Sequence, residues 1–223
     1  MRKKEKAQII VNRLNENYPT EIICYLNYTV DRPYELLFAT IMSAQCTDDR
    51  VNIVTEKLFK KYTCLEDYVE APLSQIEDDI RQINFFRNKA KSLKDSAFRL
   101  LSEYGGVLPS DIDELTTLAG VGRKTANVVR CHIFNIPSVV VDTHVKRITT
   151  KLGLTSNKDP VKIESDLVKI LPKESWIAYN HQVIAHGRAI CKAPNPKCEL
   201  CFFTDICNDY KKRNLKNGNI AKH

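Results

Sequence analysis

Apolar side chains recur at three- and four-residue steps through Phe86, Ala90, Leu93, Ala97, Leu100, Leu101 and Tyr104, and the run stops at Gly105-Gly106. That is the period of an amphipathic α-helix with a glycine stop, and it commits this part of the chain to packing helix against helix. The same period returns at Ile9, Ile10 and Leu14, broken before Pro19, and at Val54, Leu58, Phe59 and Tyr62. A further helix is predicted to start at Ser110, with Asp113 placed to help cap it, and to run through Leu115 to Leu118. Others follow from about Gly122 to Phe134, at about 143–152 with a stop at Gly153, and over 160–171 and 174–190. Ser138-Val139-Val140-Val141 is the most strand-like stretch, but it is short and isolated, so an extended connection is expected. There is no internal repeat, low-complexity run or Gly/Ser linker. Lys211, Lys212, Arg213 and Lys216, followed by Asn217-Gly218-Asn219, predict a frayed tail. The fold class is all-α.

A chain of 223 residues can bury a sizeable core. Its net charge of +7 favours a polyanionic partner, either nucleic acid or an acidic membrane surface. The basic start, Met1-Arg2-Lys3-Lys4-Glu5-Lys6, leads into an amphipathic segment rather than an apolar signal core, and no apolar run approaches a membrane span. A soluble cytoplasmic protein without a membrane partner is expected. Of the eight cysteines, Cys24, Cys46, Cys64 and Cys131 lie scattered among apolar neighbours and are expected to be reduced core residues. Cys191, Cys198, Cys201 and Cys207 crowd together instead, and that asymmetry needs a cause.

Leu118-Ala119-Gly120-Val121-Gly122-Arg123-Lys124-Thr125-Ala126-Asn127 joins two predicted helices by a Gly-Val-Gly turn. Two glycines allow a turn with positive φ, and the amides that follow face outward at the start of a helix, where its dipole favours an anion. Such a helix-hairpin-helix grips a nucleic-acid backbone rather than base edges. Lys124 falls in the first turn, and Asp142, in Val141-Asp142-Thr143-His144, follows it by eighteen residues. Read alone, the Gly-x-Gly can be only a tight turn, Lys124 a solvated lysine and Asp142 an ordinary N-cap.

Together these segments resemble the endonuclease III family of DNA glycosylases. The hairpin matches the family's except that Ala119 stands where proline is usual, which is expected to loosen the turn slightly. Val141 to His144 matches its aspartate segment, and Ser43-Ala44-Gln45-Cys46-Thr47-Asp48 and the region of Phe85 to Ala90 resemble further signatures. The resemblance covers nearly the whole chain. It implies two helical domains, about 26–136 with six helices and the hairpin, and about 1–25 joined to 137–223, with a DNA-binding cleft between them. It also implies a damaged nucleotide flipped out of duplex DNA, with Lys124 attacking C1′ and Asp142 stabilising the charge that develops on the sugar. The attacking amine must be neutral, which the helix N-terminus and a water-poor pocket are expected to favour. Lys124 itself favours a combined glycosylase and AP lyase; the resemblance implies oxidised pyrimidines as its substrates, and a monomer is expected. A monofunctional glycosylase and a non-catalytic metal-stabilised DNA-binding protein are the alternatives.

By the same resemblance Gln45 and Phe85 fill the hole left by the flipped base, whereas Phe85 by composition alone reads as a core aromatic. Asn84 stands where the family commonly has glycine and is expected to take positive φ. Gly120, Gly122, Arg123 and Thr125 would hold the backbone, and Ser43 and His144 would line the pocket. Cys191-x₆-Cys198-x₂-Cys201-x₅-Cys207 offers four thiolates to zinc or to an iron–sulfur cluster. Zinc ribbons usually show two Cys-x-x-Cys knuckles and this segment has one, while the spacing matches the 4Fe–4S loop of the resembled family. Disulfides are the remaining reading, disfavoured without a secretory signal. Between the first two cysteines, Lys192 and Lys197 flank two prolines, a stiff basic loop suited to phosphate contact or to lidding the cluster.

Overall fold

The computed structural model describes residues 1–21 and 24–216, and among them all regular structure is helical. The helices are α1 (Lys3–Asn17), α2 (Tyr34–Ser43), α3 (Asp48–Lys61), α4 (Leu65–Glu70), α5 (Leu73–Asp79), α6 (Phe86–Tyr104) and α7 (Ile112–Thr117), then α8 (Arg123–Ile133), α9 (Thr143–Leu152), α10 (Pro160–Val168), α11 (Trp176–Ala189) and α12 (Asn208–Lys216). Short 3₁₀ turns at Lys173–Ser175 and Cys198–Leu200 complete the described set. No described helix is long and apolar enough to cross a membrane. Residues 138–141 form the extended connection expected of them.

The chain divides into two compact units, Cys24–Ile136 and Met1–Ile23 with Pro137–His223. The first holds α2 to α8. Its centre is α2, in which every residue from Tyr34 to Met42 is buried. A helix buried on all sides has no solvent face, so it must be wrapped by others, as α3, α6 and α8 do here. Tyr62 and Tyr68 stack beside it, and Tyr68 meets Phe38 edge-on at 4.9 Å between ring centroids. Helix α6 runs over the span its periodicity predicts, and Gly105 at φ +59 ends it in the left-handed conformation.

In the second unit Ala7, Ile10 and Leu14 of α1 pack with Val145, Ile148 and Leu152 of α9, with Tyr179 and with Phe203. Helices α9 and α11 approach closely at Gly187, where a Cβ would lie 2.5 Å from His144 Nδ1. The Arg13 guanidinium holds the cysteine-rich segment to α1, donating to the Phe202 carbonyl at 2.7 Å and to both Asp205 carboxylate oxygens at 2.6 and 2.8 Å.

Several local expectations are corrected. The seventh helix begins at Ile112, and its cap is Asp111, whose carboxylate accepts from the Asp113 and Glu114 amides; Asp113 lies inside the first turn. Helix α10 ends at Val168, and the 3₁₀ turn at Lys173–Ser175 precedes α11. Lys211, Lys212 and Arg213 belong to α12 rather than to a frayed tail, and Asn217-Gly218-Asn219 lies outside the described residues. Of the four scattered cysteines only Cys131 is buried; Cys24, Cys46 and Cys64 are half-buried. Those three lie outside the helices, where apolar sequence neighbours do not guarantee cover.

Candidate functional site

The hairpin is a four-residue turn closed by the Val121 amide donating to the Leu118 carbonyl at 3.1 Å. Its third residue, Gly120, has φ +74, the conformation a type II turn demands at that position. Gly122 has no such need. With φ −92 and ψ 173 it is extended backbone, and it serves as the N-cap of α8, so only one of the two glycines supplies positive φ. Helix α6 supports the turn from within the same unit. Ser96, fully buried, donates to the Ala119 carbonyl at 2.9 Å, and Arg99 donates to the Thr117 carbonyl at 2.7 Å. These bonds hold in place a turn that lacks the usual proline.

The N-terminus of α8, like those of α6 and α11, lacks the side-chain cap and first-turn acids that other helices of this chain carry. Helix α3 opens with the Thr47 side chain as cap and Asp48 and Asp49 in its first turn, and α7 opens with Asp111 as cap and Asp113 and Glu114. Both patterns answer the positive end of a helix dipole. Helix α8 has no side-chain cap and no acid in its first turn; it carries Arg123 and Lys124 there, both exposed. Positive charge at a positive helix end favours the approach of an anion. Thr125 is half-buried one residue further on.

Gln45 and Phe85 are brought together in the same unit. Both lie in the left-handed region, at φ 56 and φ 59, which side chains bearing a Cβ seldom adopt. Phe85 is 62% exposed, so the core reading of this aromatic is overturned, and the positive φ expected at Asn84 belongs to Phe85 instead. Asn84 Nδ2 donates to the Gln45 carbonyl at 2.6 Å. Beneath them lies Lys89, 7% exposed, whose ammonium donates to the Met42 carbonyl at 2.8 Å and the Ala44 carbonyl at 2.5 Å. Burial lowers the Lys89 pKa from its ordinary value. The sequence reading passed over Lys89, yet it sits on the buried stripe of α6, three residues after Phe86 and four before Leu93. A lysine inside an apolar period is the signal that could have found it. Ser43, half-buried, donates to the Thr40 carbonyl at 2.9 Å within α2.

Asp142, half-buried, caps α9 by accepting from the Val145 amide at 2.7 Å, so its ordinary structural role is real. Lys124 and Asp142 belong to different units. His144 Nδ1 lies 3.2 Å from Arg147 Nη2, and that guanidinium donates to the Cys191 carbonyl at 2.9 Å. Helix α9 therefore carries the aspartate at one end and the cysteine-rich segment along its side.

All eight cysteines are free thiols, which removes the disulfide reading. Cys191, Cys198, Cys201 and Cys207 line one small pocket together with Ile148 and Phe203. Arg213 Nη2 donates to Cys198 Sγ at 3.1 Å, and Cys201 Sγ lies 3.6 Å from His186 Nε2. Burial pushes the Cys201 thiol up to about 11 and raises that of Cys191. Among the described residues no three His, Cys, Asp or Glu side chains converge closely enough to hold a single metal ion. Lys192 and Lys197 are exposed on the intervening loop.

Residues 38–173 match the family described as HhH-GPD superfamily base excision DNA repair protein. Endonuclease III of Synechocystis sp. is 44% identical over 206 residues, covering 92% of this chain and 93% of that protein. Endonuclease III of Bacillus subtilis is 40% identical over 213 residues, covering 95% and 96%. A solved structure of a trapped endonuclease III–DNA covalent intermediate superposes with a TM-score of 0.88 at 41% identity, over 96% of this chain and 99% of that one. A family match across the hairpin and the aspartate, with likeness at this level over nine-tenths of the sequence, places the chain in the HhH-GPD superfamily, in the endonuclease III family of base-excision repair DNA glycosylases and AP lyases.

Proposed function

We propose that this enzyme removes oxidised pyrimidines from duplex DNA and nicks the resulting abasic strand through a Schiff base on Lys124. The observation that carries this reading is the uncapped, doubly cationic start of α8 directly after the Gly120 turn, with Lys124 exposed in its first turn. A backbone phosphate satisfies that helix end and sets a sugar beside the amine. Arg123 and Thr125 flank the phosphate, and Lys192 and Lys197 add further backbone contacts.

The target nucleotide leaves the stack because C1′ is shielded inside it. The neutral Lys124 Nζ attacks C1′; the glycosidic bond breaks, and the base departs with its electron pair and takes up a proton. Opening of the sugar ring gives a protonated imine, which acidifies C2′. Loss of a C2′ proton expels the 3′ phosphate, and water releases the unsaturated aldehyde and restores Lys124. Asp142 stabilises the positive charge that develops on the sugar and helps to move protons, while the same carboxylate caps α9. Gln45 and Phe85 occupy the space the base vacates, and Ser43 and His144 line its pocket.

The four cysteines suit a 4Fe–4S cluster better than zinc. Zinc ribbons usually offer two Cys-x-x-Cys knuckles, whereas Cys191-x₆-Cys198-x₂-Cys201-x₅-Cys207 contains one, and its four thiols line a single pocket. When bound, that cluster supplies cross-links that order the segment from Cys191 to Cys207. Iron analysis of the purified protein, against zinc, checks the assignment. The enzyme works as a cytoplasmic monomer.

Lys124→Gln should abolish borohydride trapping on a duplex carrying an oxidised pyrimidine while DNA binding persists. Trapping retained in that variant removes Lys124 as the nucleophile. Base release without strand nicking by the unaltered enzyme would favour a monofunctional glycosylase, and neither product would leave a DNA-binding protein without turnover. Asp142→Asn keeps an N-cap acceptor, so it should slow turnover more than it weakens binding.

A further inference from the structure

We propose that Asn84 is a positioning residue that couples the Gln45 and Phe85 loops, so that both side chains enter the duplex together. The inference rests on the reading of those two residues as the groups that replace the flipped base. Thirty-nine residues separate Gln45 from Asn84, and one side-chain bond joins them, Asn84 Nδ2 to the Gln45 carbonyl at 2.6 Å. The bond falls where coupling matters. Its acceptor is the carbonyl of one left-handed residue, and its donor immediately precedes the other, so each end fixes a backbone that would otherwise relax toward ordinary φ.

The Lys89 ammonium anchors the base of the first loop, at the Met42 and Ala44 carbonyls, and the Cys46 amide closes it by donating to the Ser43 carbonyl at 3.0 Å. The Lys89 amide also donates to the Phe85 carbonyl at 3.2 Å, so the floors of the two loops are tied on the buried side of α6. Asn84 makes the second tie at their exposed tips, where water competes with its bond in the free protein. A duplex laid over Gln45 and Phe85 excludes that water, and the bond strengthens as the loops insert. A glycine at this position has no side chain with which to make it. This chain thus has a tie between the loops that the family's commoner glycine lacks.

The test uses the full-length protein and a duplex carrying a tetrahydrofuran abasic analogue beside 2-aminopurine, whose fluorescence rises as neighbouring bases unstack. Asn84→Asp keeps the size and shape of the side chain but presents only acceptors, so it removes the donor. It should slow the stopped-flow rise about tenfold, the worth of one hydrogen bond formed away from water. The penalty should fall to about twofold in a Phe85→Ala background, because the two changes then remove the same coupled event. It should also shrink on a duplex with no base opposite the analogue, where less stacking has to be replaced. A purely structural Asn84 would slow all these reactions alike, and equal slowing overturns the proposal. If Gln45→Ala and Phe85→Ala slow the rise but Asn84→Asp does not, the coupling alone is refuted. If neither alanine variant changes the rise, the assignment of both inserting residues falls and the coupling with it.

Discussion

Alanine at Gly120 and alanine at Gly122 should have opposite consequences, although the two glycines lie two residues apart in one motif. At Gly120 the backbone has φ +74, which costs a residue with a Cβ about 1–2 kcal/mol. The added Cβ would also lie 2.8 Å from Ser92 Oγ, 2.9 Å from Ser92 Cβ and 3.3 Å from Ile41 Cγ2. Ser92 Cβ is fixed to the backbone of α6 and cannot swing aside, so overpacking adds about 1–3 kcal/mol. Loss of unfolded-state entropy returns about 0.4–1 kcal/mol. The net is a destabilisation of about 3 kcal/mol. At Gly122 the backbone is extended and a Cβ meets nothing within 4 Å. A slightly poorer N-cap and a stiffer unfolded chain nearly cancel there, leaving stability within about 0.5 kcal/mol of the parent. That open space is where a phosphate would approach the first amides of α8, so Gly122→Ala should weaken DNA binding about tenfold, the loss of roughly one charge-assisted hydrogen bond. Hydrogen exchange over residues 107–134 reads the local stability, with α9 as reference, and fluorescence anisotropy reads binding. Equal protection in the two variants would refute the steric argument, and undiminished binding by Gly122→Ala would refute the phosphate approach.

Lys89→Met keeps the apolar stem but strips the Met42 and Ala44 carbonyls of their donor; because Ala44 is exposed and can turn to water, the cost should be about 2 kcal/mol, measured as faster exchange across α2. No loss of protection would mean that those carbonyls are satisfied without it. Asp67 accepts from the Thr63 amide at 2.6 Å and the Cys64 amide at 3.1 Å, and these bonds hold its pKa below the ordinary carboxylate value. A depressed carboxylate pKa contributes stability above the unfolded value, about 3.9, and loses it as pH falls through the folded value. Asp67→Ala should therefore destabilise by about 1 kcal/mol at neutral pH, with the difference from the parent closing in strong acid. A difference that stays constant with pH in thermal melts would show that the carboxylate charge plays no part.

Helices that are half in water were legible, because their two faces differ. Helices α6 and α9 run over the spans their apolar periods predict, each stopped by a glycine at positive φ. Helix α2 escaped because it has no polar face to contrast with; Tyr34 to Met42 are all buried, so no period stands out. Helices α4 and α5, of six and seven residues, are shorter than the window over which a 3.6-residue period can be counted. Phe85 misled composition for a related reason: an apolar side chain marks a tendency to be buried, and only the surrounding turn decides whether it is.

Several of the local rules that this chain breaks fall where the chemistry is proposed. Most helices of a stable protein are capped and carry acids first, as α3 and α7 do, and α8 does neither while bearing Arg123 and Lys124. Side chains with a Cβ avoid positive φ, and among the described residues Gln45, Phe85 and Asn135 take it. Phenylalanine is most often covered, and Phe85 is exposed. Each departure carries a cost in the free protein. A bound polyanion offsets two of these at once, by neutralising the start of α8 and by covering Phe85. Stability should therefore rise on binding duplex DNA by more than the charge contacts alone supply. A thermal shift that vanishes in high salt, where backbone contacts are screened but burial of Phe85 is not, would show that the apolar insertion contributes nothing.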